Sequence, residues 1–241
     1  MRVVSLVPSL TETLFALGAG PSVVGVTRFC TEPAAEVAGL PKVGGTKRSD
    51  VDAILDLEPD LVVMNEEENR AADAAALQAA GVDVLVTFPQ DWDGALATIR
   101  QLADATQRPA APLLEGLDRE RREAEELVAG RRVRVFFPVW KQPWIAFNAR
   151  TYCHDILTRA GGENVFADHA DRYPRVLLDE VLARAPEIAL LPSEPYDFGE
   201  AHATELRTAV PDVRLIDGAA LSWYGPRQGA GLLHIAHTLW G

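Results

Sequence analysis

Short apolar runs alternate along the chain with segments whose apolar positions recur at a helical period. Ser9 and Glu12 follow the first run with the spacing of a capping box, which predicts a helix capped by Ser9. Leu10, Leu14 and Leu17 give that helix one apolar face. The apolar runs lie at residues 3–7, 23–26, 61–64, 82–87, 133–137, 188–191 and 213–216. Strands that alternate with amphipathic helices predict an α/β fold with mostly parallel sheets covered on both faces.

The longest helical segment lies in the middle of the chain, at residues 109–131. Pro109 and Pro112 suit its first turn, where a missing N–H costs nothing. Gly130 suits a left-handed residue at its end. Its apolar face carries Leu113, Leu117, Ala124 and Val128. We therefore predict one long helix here.

Three patterns that precede this helix recur after it, in the same order and about 130 residues later. The matched segments are 2–8 with 132–138, 58–64 with 185–191, and 83–86 with 212–215. Chance similarity among short apolar strands is the alternative, but three ordered matches at nearly one offset indicate a duplicated α/β unit. We predict two Rossmann-like lobes, at residues 1–108 and 132–241, joined by a backbone helix at 109–131.

Composition narrows the choice of partner. The net charge of −12 disfavours nucleic acid, whose phosphates would be repelled. The mean hydropathy is near zero and no apolar run reaches 18 residues, so no membrane insertion is expected. Cys30 and Cys153 are too few for a disulfide framework or a four-thiolate zinc site. Whether these two cysteines pair with each other is left open.

The first residues bear on localisation. Met1 and Arg2 lead directly into an apolar strand, without the basic, apolar and small-residue regions of a signal peptide. We expect the protein to be extracytoplasmic, in the periplasm or lipid-anchored, if a leader has been removed. We expect it to be cytoplasmic if Met1 is the native start.

Enzyme signatures are weak, so we predict no catalytic residue, no metal ligand and no cofactor. Gly18 and Gly20 follow a helix and lack the third glycine of a dinucleotide fingerprint. The chain has neither a phosphate-binding Gly-Lys-Ser/Thr loop nor a Gly-x-Ser-x-Gly elbow. Of the five histidines, only His234 and His237 share a helix face, and that spacing alone is a weak metal signal.

Candidate ligand-binding residues cluster in the segments that follow strands, where parallel α/β sheets bind their ligands. Large aromatic rings in such loops form flat apolar walls. Basic residues there suit a carboxylate or a phosphate on the ligand. The aromatic residues in these segments are Phe29, Trp140, Trp144, Tyr196, Trp223 and Tyr224, and the basic residues on predicted loops are Arg28, Lys141, Arg175 and Arg227.

Several motifs together resemble the substrate-binding proteins of class III ABC importers, which take up vitamin B12 and ferric siderophores. They are residues 2–8 with Ser9-Leu10-Thr11-Glu12, then Gly25-Val26-Thr27, residues 58–62 and residues 161–166. The resemblance implies that the ligand lies in a cleft between two lobes held by a rigid helix. It also implies docking to a membrane permease through an acidic residue on each lobe, for which Glu68, Asp73, Glu194 and Glu200 are near the matching positions.

Carried over position by position, the resemblance gives the lining of that cleft. The implied ligand-binding residues are Arg28, Phe29, Glu66, Glu67, Trp140, Trp144, Tyr173, Trp223 and Tyr224, to which the loop cation Arg227 is added. No histidine stands in the loops where the metal-ion branch of this superfamily places its ligands, which favours a bulky chelate over a free metal ion.

The leading hypothesis is therefore a non-enzymatic receptor for cobalamin or a related metal chelate such as a ferric siderophore. The first alternative is a cytoplasmic homologue of the same fold that binds or modifies another small metabolite. In that case Glu66, Glu67 and Glu194 are the acid–base candidates, because carboxylates facing across a dry cleft separate their pKa values. The second alternative is a structural, partner-binding protein, for which little in the sequence speaks.

Overall fold

The chain forms two units, each built on its own parallel sheet. The computed structural model describes all residues, Met1–Gly241. The first unit comprises Met1–Pro89, Asp93–Glu115 and Tyr224–Pro226. The second comprises Gln90–Trp92, Gly116–Trp223 and Arg227–Gly241. The predicted α/β class, with two parallel-sheet lobes, is confirmed.

The elements of the first half of the chain follow the predicted alternation. In order they are β1 (Val3–Ser5), α1 (Pro8–Ala16), a 3-10 turn (Gly20–Ser22), β2 (Val23–Val26), α2 (Ala34–Val37), β3 (Gly44–Gly45), β4 (Arg48–Ser49), α3 (Val51–Asp56), β5 (Leu61–Asn65), α4 (Ala71–Ala79), β6 (Asp83–Thr87), α5 (Trp92–Thr106) and α6 (Ala111–Val128).

The second half repeats the alternation with additional short elements. In order they are β7 (Val133–Phe136), β8 (Trp144–Ile145), α7 (Tyr152–Arg159), β9 (Gly162–Asn164), β10 (Arg175–Val176), α8 (Leu178–Ala183), β11 (Ile188–Pro192), α9 (Glu200–Leu206), β12 (Asp212–Ile216), α10 (Ala219–Ser222) and α11 (Gln228–Trp240). None of the helices combines the length and apolar character needed to cross a bilayer.

The main sheet of the first unit has the strand order β2-β1-β5-β6, and every pair in it is parallel. Val4 of β1 is opposite Val62 of β5, and both are fully buried. Their side chains join Leu6, Ile54 and Met64 in one apolar cluster. The near-continuous apolar strands therefore reflect a sheet that is covered on both faces.

The main sheet of the second unit has the order β9-β7-β11-β12, again entirely parallel. Position by position, β7, β9, β11 and β12 correspond to β1, β2, β5 and β6. The predicted duplication is thus confirmed by topology. The second unit adds an antiparallel pair, β8 with β10, which the first unit does not have at the corresponding point.

The duplication extends to the contacts at the start of the first strand. In the first unit, the Arg2 N–H donates to the Asp60 carboxylate at 2.6 Å, and the Asp60 N–H donates to the Arg2 carbonyl at 2.8 Å. In the second unit, Arg134 and Glu187 exchange the same two bonds at 3.0 and 2.9 Å. Arg134 is therefore the counterpart of Arg2. The sequence match that paired Arg2 with Arg132 was wrong by two residues.

The long central helix, α6, ends as the sequence predicts. Ala129 and Gly130 have φ angles of 47° and 77°, so both have a left-handed backbone. A left-handed residue ends an α-helix, and glycine is favoured at that position. The buried positions of α6 include Leu117, Ala124 and Val128, which share one face.

The predicted capping box at the start of α1 was wrong. The helix begins at Pro8, its N-cap is Val7, and no side chain caps it. Proline at the first helical position is pre-organised for the helix and has no N–H to satisfy. Because Pro8 starts the helix, Ser9 lies inside the first turn, where its hydroxyl cannot act as the cap.

Candidate functional site

In the first unit, Arg28 and Phe29 lie on the loop that follows β2. Both side chains are exposed, and the Arg28 guanidinium lies over the Phe29 ring at 4.7 Å from its centroid. A cation over an aromatic face is attracted by the negative charge of that face. The pair packs against Gly45, where an added Cβ would come within 3.1 Å of the Phe29 ring. Glycine at this position leaves room for both side chains.

A buried network of hydroxyls and one thiol holds this loop from below. The Thr27 hydroxyl lies 3.2 Å from the Cys30 sulfur and accepts the Phe29 N–H at 3.3 Å. On the other side, the Thr11 hydroxyl lies 3.1 Å from the same sulfur and 2.8 Å from the Ser5 hydroxyl. Burial raises the pKa of the Cys30 thiol, so Cys30 acts as a neutral part of the network and not as a nucleophile.

Glu66 and Glu67 lie on the loop after β5, which is fixed by two buried asparagines. The Asn65 side-chain oxygen accepts the N–H groups of Glu67 at 2.8 Å and Glu68 at 3.2 Å. The Asn69 side-chain oxygen accepts the Asn65 N–H at 2.8 Å. The Glu66 carboxylate is exposed and that of Glu67 is half-buried.

Tyr224 belongs to the first unit although it stands near the end of the chain. Its side chain is only 6% exposed, and its phenolic oxygen accepts a hydrogen bond from the Asn65 amide at 3.0 Å. Burial, with the Glu68 charge as a smaller cause, raises the pKa of the Tyr224 phenol well above its usual range. Tyr224 therefore remains protonated, and its ring does not face solvent.

In the second unit, the loop after β7 leads into a cluster of packed rings, which we call the ring cluster: Trp140, Trp144, Tyr196, Phe198 and His202. Trp140 meets the Tyr196 ring edge-on at 5.2 Å. Trp144 is stacked on Phe198 at 5.7 Å with an interplanar angle of 6°. Trp140 is 43% exposed whereas Trp144 is 7% exposed. Trp140 thus presents a ring to solvent, and Trp144 is part of its support.

Lys141 is held beside the ring cluster. Its ammonium group lies over the Trp144 ring at 4.6 Å and forms an ion pair with Glu205. Its side chain is only 10% exposed. Lys141 is therefore committed to the Trp144 ring and to Glu205 inside this unit, and it is not presented to solvent as a free cation.

Trp223 and Arg227 form a second group in this unit. The Arg227 guanidinium lies over the Trp223 ring at 4.9 Å. The Glu194 carboxylate is hydrogen-bonded to the Trp223 side chain. Burial and the Asp217 charge raise the pKa of Glu194, and the Trp223 bond and the Arg227 charge oppose the shift. Both Trp223 and Arg227 are half-buried.

Tyr173 lies on the segment before β10, the strand that pairs with β8. Its ring is 43% exposed, and the Arg172 guanidinium lies 5.9 Å from the ring centroid. Cation–ring contacts between predicted site residues join Arg28 to Phe29 and Arg227 to Trp223, each within its own unit. Five predicted site residues expose aromatic or charged groups: Arg28, Phe29, Glu66, Trp140 and Tyr173.

The structure contains no cluster of three or more His, Cys, Asp or Glu side chains that could hold a metal ion. Cys30 and Cys153 are both free thiols. The exposed aromatic faces and charged groups can bind a ligand.

Comparison with known proteins decides the family. Residues 3–205 match the family described as periplasmic binding protein. The chain belongs to the periplasmic binding protein family. A vitamin B12-binding protein of Salmonella typhimurium is 32% identical to this family member over 197 residues, which cover 79% of this chain and 71% of the relative. The predicted resemblance to vitamin B12-type substrate-binding proteins is thereby confirmed.

Solved structures of this family share the fold. The periplasmic heme-binding protein RhuT from Roseiflexus sp. RS-1 superimposes with a TM-score of 0.84 at 26% identity, over 99% of this chain and 97% of that one. The periplasmic vitamin B12-binding protein BtuF of Vibrio cholerae superimposes with a TM-score of 0.81 at 22% identity, over 99% and 96%.

Sequence reasoning did not include three groups that shape the site. Asn65 and Asn69 order the loop after β5, and Phe198 supports Trp144. The spacing Asn65 to Asn69 around three glutamates was a usable signal, because asparagine side chains commonly bond to the backbone two or more residues on. No sequence signal indicates that Tyr224 reaches Asn65, because that contact joins residues 159 positions apart.

Proposed function

We propose that this periplasmic binding protein is the receptor of an ABC-type importer and that its ligand is cobalamin. The observation that carries the proposal is Trp140, a 43% exposed indole held edge-on by Tyr196 on a strand-end loop. Such a ring offers a flat apolar wall to a macrocycle. Relatives named vitamin B12-binding proteins support the choice of a corrinoid.

The chemistry of the exposed groups supports cobalamin over free metal. Cobalamin carries a nitrogen ligand for its own cobalt, so the protein has no need to supply one. Its rim bears amide side chains that can donate to carboxylates and accept from cations. Glu66 and Arg28, both exposed on loops of the first unit, provide these two kinds of partner.

Heme is the second candidate, since RhuT and other similar structures are heme-binding proteins. Heme iron normally takes an axial ligand from the protein, such as His, Tyr, Cys or Met. Among the predicted site residues, only Tyr173 and Tyr224 belong to those types. Tyr224 is buried and its phenol is committed to Asn65, which leaves Tyr173 as the one exposed candidate. Heme would therefore depend on Tyr173 alone for a ligand from the protein, whereas cobalamin needs none.

In this proposal the protein is not an enzyme. It works outside the cytoplasmic membrane and delivers its ligand to a membrane permease. Glu200 is an exposed carboxylate of the kind such docking uses, although it is paired with Arg207 at 3.0 Å. Asp73 is 8% exposed, so it is the less accessible of the acidic candidates in the first unit, and Glu68 is half-buried.

The test is a ligand panel of cyanocobalamin, hemin and a ferric siderophore, read by tryptophan fluorescence and by thermal unfolding. At a ligand concentration of about 100 times Kd, binding stabilises the protein by about 2.7 kcal/mol, which raises Tm by roughly 5–10 °C. We expect this shift with cyanocobalamin, and a loss of quenching in Trp140→Ala. A shift with hemin alone would favour the second candidate, and no shift with any of the three would contradict both.

A further inference from the structure

Tyr224 has an environment that the predicted role of ligand contact does not explain. Its ring is buried, its phenolic oxygen accepts the Asn65 amide N–H at 3.0 Å, and Thr87 is a further hydrogen-bond partner of the phenol. The Thr87 hydroxyl donates to the Met64 carbonyl at 3.0 Å, so its oxygen remains to accept from the phenol. A tyrosine that both accepts and donates inside the protein is a structural connector, because its polar atom is not aimed at solvent.

The partner of Tyr224 is the residue that organises the loop after β5. An asparagine amide has an oxygen that accepts and a nitrogen that donates. The Asn65 nitrogen donates to Tyr224, and its oxygen accepts the N–H groups of Glu67 and Glu68. If the amide were flipped, its NH₂ group would face two backbone donors. The phenol, by accepting from the Asn65 nitrogen, and the two backbone N–H groups, by donating to its oxygen, favour the same orientation of Asn65, the one that orders the loop.

The backbone around Tyr224 is shaped to hold it in place. Gly225 has a φ of 95°, which a side chain rarely adopts, and an added Cβ would come within 2.2 Å of the Thr13 hydroxyl. The Thr13 hydroxyl is itself bonded to the Ser9 carbonyl at 2.7 Å. Glycine is thus required both for the left-handed backbone and for the close approach to α1.

We propose that Tyr224 is a positioning residue: through the Asn65 amide it sets the backbone of residues 66–68 and so places the carboxylates of Glu66 and Glu67 for ligand binding. The second half of this inference rests on the proposed function, whereas the first half concerns the loop alone. Tyr224 does not touch the ligand. It acts on affinity only by way of Asn65.

The test of the loop uses amide hydrogen exchange and needs no ligand. In the unchanged protein, the amides of Glu67 and Glu68 should be protected even though their side chains are partly exposed. In Tyr224→Phe their exchange should be faster by about tenfold or more, because one hydrogen bond to Asn65 is lost. The amides of β1 and β5 should keep their rates, since a general loss of stability would speed exchange in these strands as well.

The matched control is Tyr152→Phe. Tyr152 is also 6% exposed but belongs to α7 of the second unit, so this variant removes a buried phenol elsewhere and should leave Glu67 and Glu68 protected. Unprotected Glu67 and Glu68 amides in the unchanged protein would overturn the proposal even if Tyr224→Phe failed to fold. Unchanged exchange in a folded Tyr224→Phe protein would overturn it as well.

The ligand arm is a cyanocobalamin titration of the same proteins. Tyr224→Phe should weaken binding by about fivefold to tenfold, and Tyr152→Phe by less than twofold. If the unchanged protein binds no cyanocobalamin, the proposed function fails while the exchange result still decides the role of the loop. If Tyr224→Phe loosens the loop but binds as tightly as the unchanged protein, the effect on ligand placement is refuted.

Discussion

The two units have the same strand order but support their candidate binding residues by different means. In the first unit, both loops rest on buried polar networks, one centred on Cys30 and the other on Asn65. In the second unit, Trp140 rests on Tyr196, and Trp144 on Phe198. The sheet of a duplicated α/β unit is constrained by packing on both faces, whereas the loops beyond its strands are free to diverge.

This difference has energetic consequences. A buried hydrogen-bond network adds only about 1 kcal/mol per bond but fixes backbone geometry, and it is costly to leave partly satisfied. Stacked rings contribute mainly through buried apolar area. Substitution of a buried residue in the ring cluster should therefore lower the free energy of unfolding more. Substitution in the polar networks of the first unit should lower it less, but should change the order of the loops.

The largest effect is expected for Trp144→Ala in the ring cluster. It removes a buried indole that is stacked on Phe198 and edge-on to Phe136, and it should lower the free energy of unfolding by about 3–5 kcal/mol. Urea denaturation measures this. Trp140→Ala is the matched control and should cost less than about 1.5 kcal/mol, because that indole is 43% exposed. Equal costs would mean that Trp144 is not the buried support of the cluster.

Next in size is Asn65→Ala in the first unit. The loop amides of Glu67 and Glu68 and the Tyr224 phenol all lose a partner, so the expected loss of stability is about 2–3 kcal/mol. Glu66→Gln changes an exposed side chain on the same loop and should stay within about 0.5 kcal/mol of the unchanged protein. A loss of less than about 1 kcal/mol in the free energy of unfolding of Asn65→Ala would show that the polar network does not stabilise the loop after β5.

The thiol of Cys30 gives a pH-dependent test of the same unit. Its pKa is raised in the folded protein from an ordinary value of 9.0, so the unfolded chain loses the proton first as pH rises. The contribution of the protonated Cys30 thiol to the free energy of unfolding should therefore be complete below about pH 9. Above that pH it should fall by at most about 1.4 kcal/mol per pH unit. Cys30→Ala should lack this contribution when unfolding is measured between pH 8 and pH 10.5.

Thiol labelling offers an independent readout for Cys30. In Cys153→Ser, where Cys30 is the one remaining thiol, a disulfide reagent at pH 8 should leave the folded protein unlabelled and label it fully in urea. Rapid labelling without urea would show that the hydroxyl network around Cys30 is open to solvent.

The smallest effect is expected at Glu194 in the second unit. Burial and the Asp217 charge raise the pKa of Glu194, so the ionised carboxylate is disfavoured in the folded protein. The protonated carboxyl stabilises the fold at low pH, and this contribution is lost as the pH rises above 4.5, the ordinary pKa of a glutamate. Glu194→Gln should be slightly more stable than the unchanged protein at pH 7, by less than about 1 kcal/mol because the group is half exposed. At pH 4 the two should differ less, which thermal unfolding at both pH values will show.

The elements of the sheet could be predicted because they carry strong apolar patterns. The strand β9 was missed, since Gly162, Glu163 and Asn164 have no such pattern and pair only because β7 lies beside them. Whether such a short segment forms a strand depends on pairing with a neighbouring strand, and the residues' own strand preference does not decide it.

The sequence predicts which residues lie on strand-end loops more readily than it predicts which of them are buried and what they contact. The position of a strand-end loop follows from the alternation of elements, which is why Trp140 and Phe29 could be placed on such loops. Burial of Trp144 and Tyr224 depends on contacts with residues far away in the chain, such as Phe198 and Asn65. No periodicity encodes those contacts, so these two residues could not be separated from the exposed ones beforehand.

The most direct test of cobalamin binding is an isothermal titration of the purified protein with cyanocobalamin. We predict one site with a Kd of about 1 µM or tighter, equivalent to about −8.2 kcal/mol, and markedly weaker binding by Trp140→Ala under the same conditions. The absence of binding heat at several temperatures, with the protein shown to be folded, would contradict the assignment of cobalamin as its ligand.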